Sequence, residues 1–334
     1  MKSEGTLLLD GNEIAELLPL DESIAVVEQA FRLSAQGKVS LPDVVHVKSE
    51  GGMFHIKSAL ITVDRTYFAA KANANFFGNS GCFGLPNIQG VILLFDGETG
   101  YPLAIMDSIE ITIRRTGAAT AVAAKYLARS NSRIATICGC GNQGRIHARA
   151  LKRVRPIERI FAFDTDRKQA EQFAAELSTE LQVKVTPVAD PVEAIPLSQI
   201  CVTCTPSRRP FVKKEYVAAG TFVAAVGADS PEKQELEPSL LASTKVVVDV
   251  LEQCATMGEL HHALIQGYVG KGDVHAELGE VVDGQKPGRE SEEEVIIFDS
   301  TGTALQDAAA AVAVYQKALK AARGLLVNLS PQSS

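Results

Sequence analysis

The chain has 334 residues, 46% of them hydrophobic and 22% charged, a balance that excludes wholesale disorder and leaves room for two domains of ordinary size. Basic side chains number 33 against 40 acidic ones, a net charge of −7 with no basic block, which argues against nucleic acid or an anionic membrane as partner. No stretch reaches the ~18 consecutive apolar residues of a membrane span, and the start MKSEGTLLLDGNE has neither secretory nor transit character, so a cytoplasmic protein is expected.

The first 35 residues read as helical, LLLDGNEIAELLP and then DESIAVVEQAFRLSAQGK, with Asp21 as N-cap and Gly37 as the stop. Short runs follow, VVHV, MFHIKSALI, YFAAKANA, GVILLF and PLAIM, separated by turn residues, and they predict an antiparallel or mixed sheet. IEITIRRTGAATAVAAKYLAR is a long Ala-rich helix. From Arg133 strands and helices alternate. RIATICGCG, RIFAFD, VKVTPV, SQICVTCT, TFVAAVGA and TKVVVDV read as strands, with NQGRIHARALKRV and DRKQAEQFAAELSTEL as helices. Such continuous apolar strands predict a parallel sheet covered on both faces. EVIIFDSTG is expected as the last strand, before the helix TALQDAAAAVAVYQKALKAARG, and the tail NLSPQSS is expected to fray. The expected fold class is α/β: a Rossmann-type doubly wound parallel sheet, residues 129–303, inserted into a discontinuous α+β domain of residues 1–128 plus 304–334.

Gly139-x-Gly141-x-x-Gly144 closes the strand RIATIC and opens the helix that begins near Asn142. A second strand follows with Asp164 at its end, the context a dinucleotide-binding turn requires. The glycines allow a tight turn and close backbone approach to a pyrophosphate, and the helix N-terminus offers it unpaired N–H groups. A carboxylate at Asp164 can bond both ribose hydroxyls and repel a 2′-phosphate, so NAD is the expected cofactor, with Arg167 leaving NADP open. A glycine turn that binds no nucleotide is the alternative. Gly139, Gly141, Asn142, Gln143, Gly144 and Asp164 lead the expected cofactor-binding set, and Thr116, Thr205, Gly227 and Ser300 complete it.

Several charged groups sit in apolar or small-residue surroundings, where a charge is costly unless paired or used. Lys71 lies in YFAAKANANF and Lys57 in MFHIKSALI, where strand alternation puts His55 and Lys57 on one face. Arg114 and Arg115 precede Thr116 in the long helix, and Asp229 follows TFVAAVGA at the carboxyl end, where parallel sheets bind ligands. Each has a plainer reading: edge-strand lysines, a solvated helix face or an ion pair with Glu110 for Arg114 and Arg115, a turn or cap at Asp229, a packed histidine at His55 and a helix surface at His261-His262. Of the six cysteines only Cys201 and Cys204 form a CxxC, with no second pair, so reduced buried thiols and no metal site are expected.

The chain resembles the ornithine cyclodeaminase/μ-crystallin family, which includes alanine dehydrogenases and ketimine reductases. The resemblance spans nearly the whole chain through AAKANANF, GLPNIQGVILLFDGETGYPLAIMDS, EITIRRTGAATAVAAKYLAR, CGCGNQGRIHARAL, VGADSPEKQEL and FDSTGTALQDAAAA. It implies a homodimer in which the discontinuous domain binds substrate and dimerises while the Rossmann domain binds NAD(H) or NADP(H). It also implies hydride transfer between nicotinamide C4 and the α-carbon of an amino or imino acid. Lys71 matches the family lysine near the substrate carboxylate and imine, and Arg115 the arginine that clamps that carboxylate. Asp229 matches the aspartate that holds the nitrogen and relays a proton. The resemblance thus makes Asp229 and Lys71 the catalytic candidates, and Arg115, Lys57, Lys71 and His55 form the expected substrate-binding set. Members often carry another carboxylate-binding arginine after a proline; here LPDVVHV places Asp43 there, and Lys57 can restore the positive charge.

Three activities follow. The first is an NAD-dependent oxidoreductase of a small L-amino or imino acid, of alanine dehydrogenase or ketimine reductase type. The second is cyclodeamination of L-ornithine to L-proline plus ammonia with bound NAD, for which Asp43 would serve a second amino group. The third is binding of NAD(P)H and a small ligand without turnover, which the intact Lys71, Arg115 and Asp229 argue against.

Overall fold

The computed structural model describes residues 5–329, so Met1–Glu4 and the Ser330–Ser334 part of the expected frayed tail lie outside the described residues. Contacts divide the chain into two units, Met1–Arg115 with Thr303–Ser334, and Thr116–Gly302.

The first unit is built on an eight-stranded mixed sheet. Its spatial order is Leu325–Val327, Thr6–Leu9, Pro102–Asp107, Ile88–Asp96, Thr66–Asn75, Gly52–Thr62 and Val39–Ser40, with Val45–Ser49 also paired to Gly52–Thr62. The five runs read as strands are all in it. Thr6–Leu9 corrects the helical reading of the first residues: it is a strand parallel to Pro102–Asp107 and antiparallel to Leu325–Val327. A short apolar run fits a buried strand as well as a helix. The first helix, Gly11–Leu17, starts only after Asp10, whose side chain accepts from Glu13 N while the Glu13 carboxylate accepts from Asp10 N. Asp21 does not cap the next helix either, because Leu20–Ala35 begins directly after Pro19. Gly37, at φ +70°, stops it as expected.

Alternation gives this sheet two different faces. One carries His55, Lys57, Ala59 and Ile61 on one strand and Tyr67, Ala69, Lys71 and Asn73 on the next. The Ala304–Ala321 helix packs over it, against those two strands and the Leu20–Ala35 helix. Small side chains such as Ala308, Ala310 and Ala311, fully buried, let the helix backbone come close. The opposite face holds Val45, Val47, Phe54, Ile56, Leu60 and Val91, between 39% and 50% exposed.

The second unit is an eight-stranded sheet ordered Lys184–Val188, Arg159–Phe163, Ile134–Cys138, Ile200–Thr203, Phe222–Ala225, Ile296–Asp299, Lys245–Val248 and Ala276–Glu277. Every pairing is parallel. The strand order reverses between Ile134–Cys138 and Ile200–Thr203, so the glycine turn after Cys138 opens at the switch point where doubly wound sheets bind ligands. Ile296–Asp299 is not the last strand in sequence, since Leu325–Val327 follows it in the first unit's sheet. The sequence reading also lacks the two-stranded sheet of Arg208–Val212 and Gln234–Leu236, which is too short and charged to carry a strand pattern. No helix among the described residues is long and apolar enough to cross a membrane.

His147, on the buried side of the Asn142–Val154 helix, is fully buried, and neither ring nitrogen has a hydrogen-bond partner among the described residues. Burial pushes its pKa down to about 3. The folded state therefore keeps the ring neutral while the unfolded chain protonates it below its ordinary value near 6.5. Stability is unaffected above that pH and falls as pH drops from there towards about 3. We expect His147→Leu to flatten this slope, so that its stability relative to the parent rises by about 2 kcal/mol between neutral pH and a pH near 4.5. Urea unfolding at the two pH values checks it; a pH-independent difference would contradict it.

Candidate active site

In the first unit Lys57 and Lys71 stand opposite each other on adjacent antiparallel strands, both on the face that the Ala304–Ala321 helix covers. Lys71 is 5% exposed. The covering helix supplies Asp307, whose Oδ2 lies 2.5 Å from Lys71 Nζ and whose Oδ1 accepts from Arg115 Nε at 2.9 Å. Arg115 enters from the Ser108–Leu127 helix and donates through Nη1 to Gln306 Oε1 at 2.9 Å. Thr112 Oγ1, one turn earlier on the same helix, is 3.5 Å from Lys71 Nζ.

Burial drives the Lys71 pKa down to about 7; Asp307 works against that shift, while Arg115 and Lys57 add to it. For Asp307 burial acts upward, but Arg115 and Lys71 outweigh it and hold the carboxyl below its ordinary range. The cluster is thus a pair of buried cationic groups sharing one ionised carboxylate, with Lys57 alongside. The structure brings the expected Lys71, Arg115 and Lys57 together. It adds Asp307 and Gln306, which the sequence reading missed. Two polar residues inside an otherwise alanine-rich, buried stretch, TALQDAAAA, were the available signal.

His55 shares the face of Lys57, and its Nδ1 meets His46 Nδ1 on the neighbouring strand at 2.9 Å. Arg114 follows its plainer reading: Nε donates to Glu110 Oε1 at 2.6 Å and Nη1 to Leu18 O at 3.0 Å. Asp43 lies exposed in a segment without regular structure.

In the second unit Asp229 lies beyond the carboxyl end of Phe222–Ala225, exposed, with Oδ1 2.6 Å from Lys233 Nζ. The Lys233 carbonyl accepts from His262 Nε2 at 2.8 Å. His262 is half-buried on the Glu259–Ile265 helix, and burial lowers its pKa. Glu235 joins two expected cofactor residues. Its Oε1 accepts from both the Thr205 N–H and hydroxyl at 2.7 Å, and its Oε2 from Gly227 N at 2.9 Å. Burial pushes this carboxyl up, although those hydrogen bonds pull the other way. Ser300 is buried, its hydroxyl donating to Asp249 Oδ2 at 3.0 Å.

The glycine turn fits a dinucleotide. Gly139 adopts φ +105°, which an L side chain rarely takes. The Asn142–Val154 helix starts at Gly141 without a side-chain cap, leaving its first N–H groups for a ligand. A Cβ on Gly141 would meet nothing within 4 Å, so room for a pyrophosphate stands beside those donors. Asp164 is fixed by Cys140 N at 2.8 Å and Asp166 N at 2.9 Å, each to a different oxygen, which keeps remaining lone pairs for ribose hydroxyls. Arg167 is exposed and paired with Glu171 at 2.9 Å. Thr116 opens the second unit within the Ser108–Leu127 helix. At Gly144 a Cβ would stand 2.0 Å from the Gly139 carbonyl oxygen. We expect Gly144→Ala to distort the turn and weaken NADH binding at least about tenfold; fluorescence titration of NADH checks this, and unchanged affinity would contradict it.

A sequence model of the ornithine cyclodeaminase/mu-crystallin family matches residues 4–322. An alanine dehydrogenase from Archaeoglobus fulgidus is 42% identical over 314 residues, covering 94% of this chain and 95% of that one. Among solved structures, an archaeal alanine dehydrogenase dimer with bound NAD matches with a TM-score of 0.93 and 41% identity, over 97% of this chain and 99% of that one. The Δ1-pyrroline-2-carboxylate reductase of Thermococcus litoralis, in complex with NADH and L-proline, matches with a TM-score of 0.92 and 35% identity, over 96% and 100%.

Proposed function

The chain belongs to the ornithine cyclodeaminase/mu-crystallin family, and on that premise we propose that it is an NAD-dependent oxidoreductase acting on a small L-amino acid and the corresponding imino acid. The observation that carries this reading is the Arg115 guanidinium, buried beside Lys71 and fixed in place by hydrogen bonds at Nε and Nη1. A planar cation presented in this way suits a carboxylate, which can take two parallel hydrogen bonds from it. Lys71 and Lys57 add positive charge to the same face, so a substrate carboxylate balances the site. Asp229, exposed beside Lys233 beyond the end of the Phe222–Ala225 strand, would hold the substrate nitrogen and exchange its proton with solvent. Gly139, Gly141, Asn142, Gln143 and Gly144 would hold the pyrophosphate and Asp164 the ribose, with Thr205 and Gly227 steadied by Glu235. Bound NAD(H) supplies or accepts the hydride at the substrate α-carbon. The archaeal relatives with NAD or NADH bound support the choice of cofactor.

Absorbance of NADH in the presence of ammonium or methylamine and a panel of 2-oxo acids, with cyclic imines alongside, tests the reading. Consumption with one of them is the expected result. Ammonia from L-ornithine without net change in NADH would replace it by cyclodeamination. NADH binding with no turnover in either assay would leave a binding protein.

The homodimer belongs to the same proposal. The apolar sheet face of Val45, Val47, Phe54, Ile56, Leu60 and Val91 is suited to a second copy, and the archaeal alanine dehydrogenase is described as a dimer. Light scattering should give a dimer mass that Ile56→Asp reduces to a monomer; a dimer in both would contradict use of this face. A cytoplasmic setting suits the six free cysteines.

A further inference from the structure

Resting on the reading of Arg115 and Lys71 as carboxylate-binding groups, we propose that Asp307 is a positioning residue that sets both cations for the substrate and favours the charged form of Lys71. Three separate segments converge on it: the Thr66–Asn75 strand with Lys71, the Ser108–Leu127 helix with Arg115, and its own Ala304–Ala321 helix. Each carboxylate oxygen takes one cation, Oδ1 the Arg115 Nε and Oδ2 the Lys71 Nζ, so the two are held side by side. Gln306, the preceding residue, takes Arg115 Nη1. With Nε and Nη1 both engaged, the guanidinium plane is held in one orientation.

The arrangement is also an electrostatic one. Two buried cations this close repel, and the usual outcome is loss of the lysine proton. The charged groups facing Lys71 are Asp307 from the covering helix, Arg115 from the Ser108–Leu127 helix and Lys57 from the adjoining strand, with the Thr112 hydroxyl beside them. Of these only Asp307 favours the charged amine, and the Lys71 pKa of about 7 is the balance of all of them with burial. Without Asp307 the amine would be neutral at neutral pH and the carboxylate clamp would lose a charge. A buried ion pair that served packing alone would lower stability when broken but would leave substrate affinity and pH dependence untouched.

Asp307→Asn and Asp307→Glu separate the two. In Asp307→Asn we expect the KM for the oxo or imino acid to rise at least about tenfold, with NADH affinity unchanged within about twofold. The limb of the kcat/KM profile that reports Lys71 should move down by about one pH unit. Asp307→Glu keeps the charge, so its pH limb should return towards that of the parent while KM stays raised. An unchanged KM and pH limb in Asp307→Asn, alongside loss of activity in Arg115→Met, would overturn the proposal and leave the function standing. If Asp307→Asn does not fold, Asp307→Glu carries the test, and a lowered melting temperature with parental KM overturns it. Nitrogen NMR of lysine-labelled protein, with Lys71→Arg identifying the signal, reads the Lys71 midpoint without turnover. A lower midpoint in Asp307→Asn supports the coupling even if no substrate is found, the failure then lying in the functional reading; an unchanged midpoint overturns it.

Discussion

Arg115→Met should reduce kcat/KM for the oxo or imino acid by about three orders of magnitude, chiefly through KM, and leave NADH binding near the parental value. Charge-assisted hydrogen bonds to a carboxylate contribute ~1.5–3 kcal/mol each, and a two-pronged clamp loses both at once. The substitution also removes the Arg115 contact of both Asp307 and Gln306 and leaves Asp307 with Lys71, so some stability is lost with it. Arg115→Lys should recover little, because an ammonium cannot bond Asp307 and Gln306 while presenting a planar edge to the ligand. Steady-state kinetics with a parallel NADH fluorescence titration separates the effects. A parental KM in Arg115→Met would remove the carboxylate clamp from the account.

Asp229→Asn should lower kcat by about two to four orders of magnitude, the range over which a positioned acid–base group acts. The amide keeps the shape of the side chain and its place at the end of the Phe222–Ala225 strand, but it cannot take up a proton or hold a charged nitrogen as strongly. Asp164 takes its hydrogen bonds from Cys140 N and Asp166 N, and Gly227 N is held by Glu235, so these expected cofactor groups keep those partners in the variant and NADH affinity should barely change. Equal turnover of the variant would end the proton-relay role.

What could be read from the sequence is what is encoded locally. The glycine fingerprint came with its strand before and its helix after, and the structure places Ile134–Cys138 and Asn142–Val154 there. The antiparallel runs were legible because alternation and turn residues fall within a few positions of each other, and that same alternation put His55 and Lys57 on one face. Thr6–Leu9 was not, since three leucines fit either element until their neighbours are known. The partner of Asp307 lay beyond reach for another reason: it meets Arg115 across a separation of 192 residues, and no pattern within one helix reports such a partner. Glu235 was hidden by its surroundings, because in SPEKQEL it looks like one more solvated charge, whereas it is fully buried between two strand ends. The bond of His262 to the Lys233 carbonyl was likewise invisible in a His-His pair.

The most direct test of the account follows the transferred hydrogen. The enzyme is supplied with NADH deuterated at C4 on either face, ammonium and the oxo acid that supports turnover, and the amino acid formed is analysed by mass spectrometry. The account predicts one deuterium at the product α-carbon from one of the two labelled cofactors, in step with NADH consumed. Product without deuterium from either, or no product while NADH still binds, would contradict it.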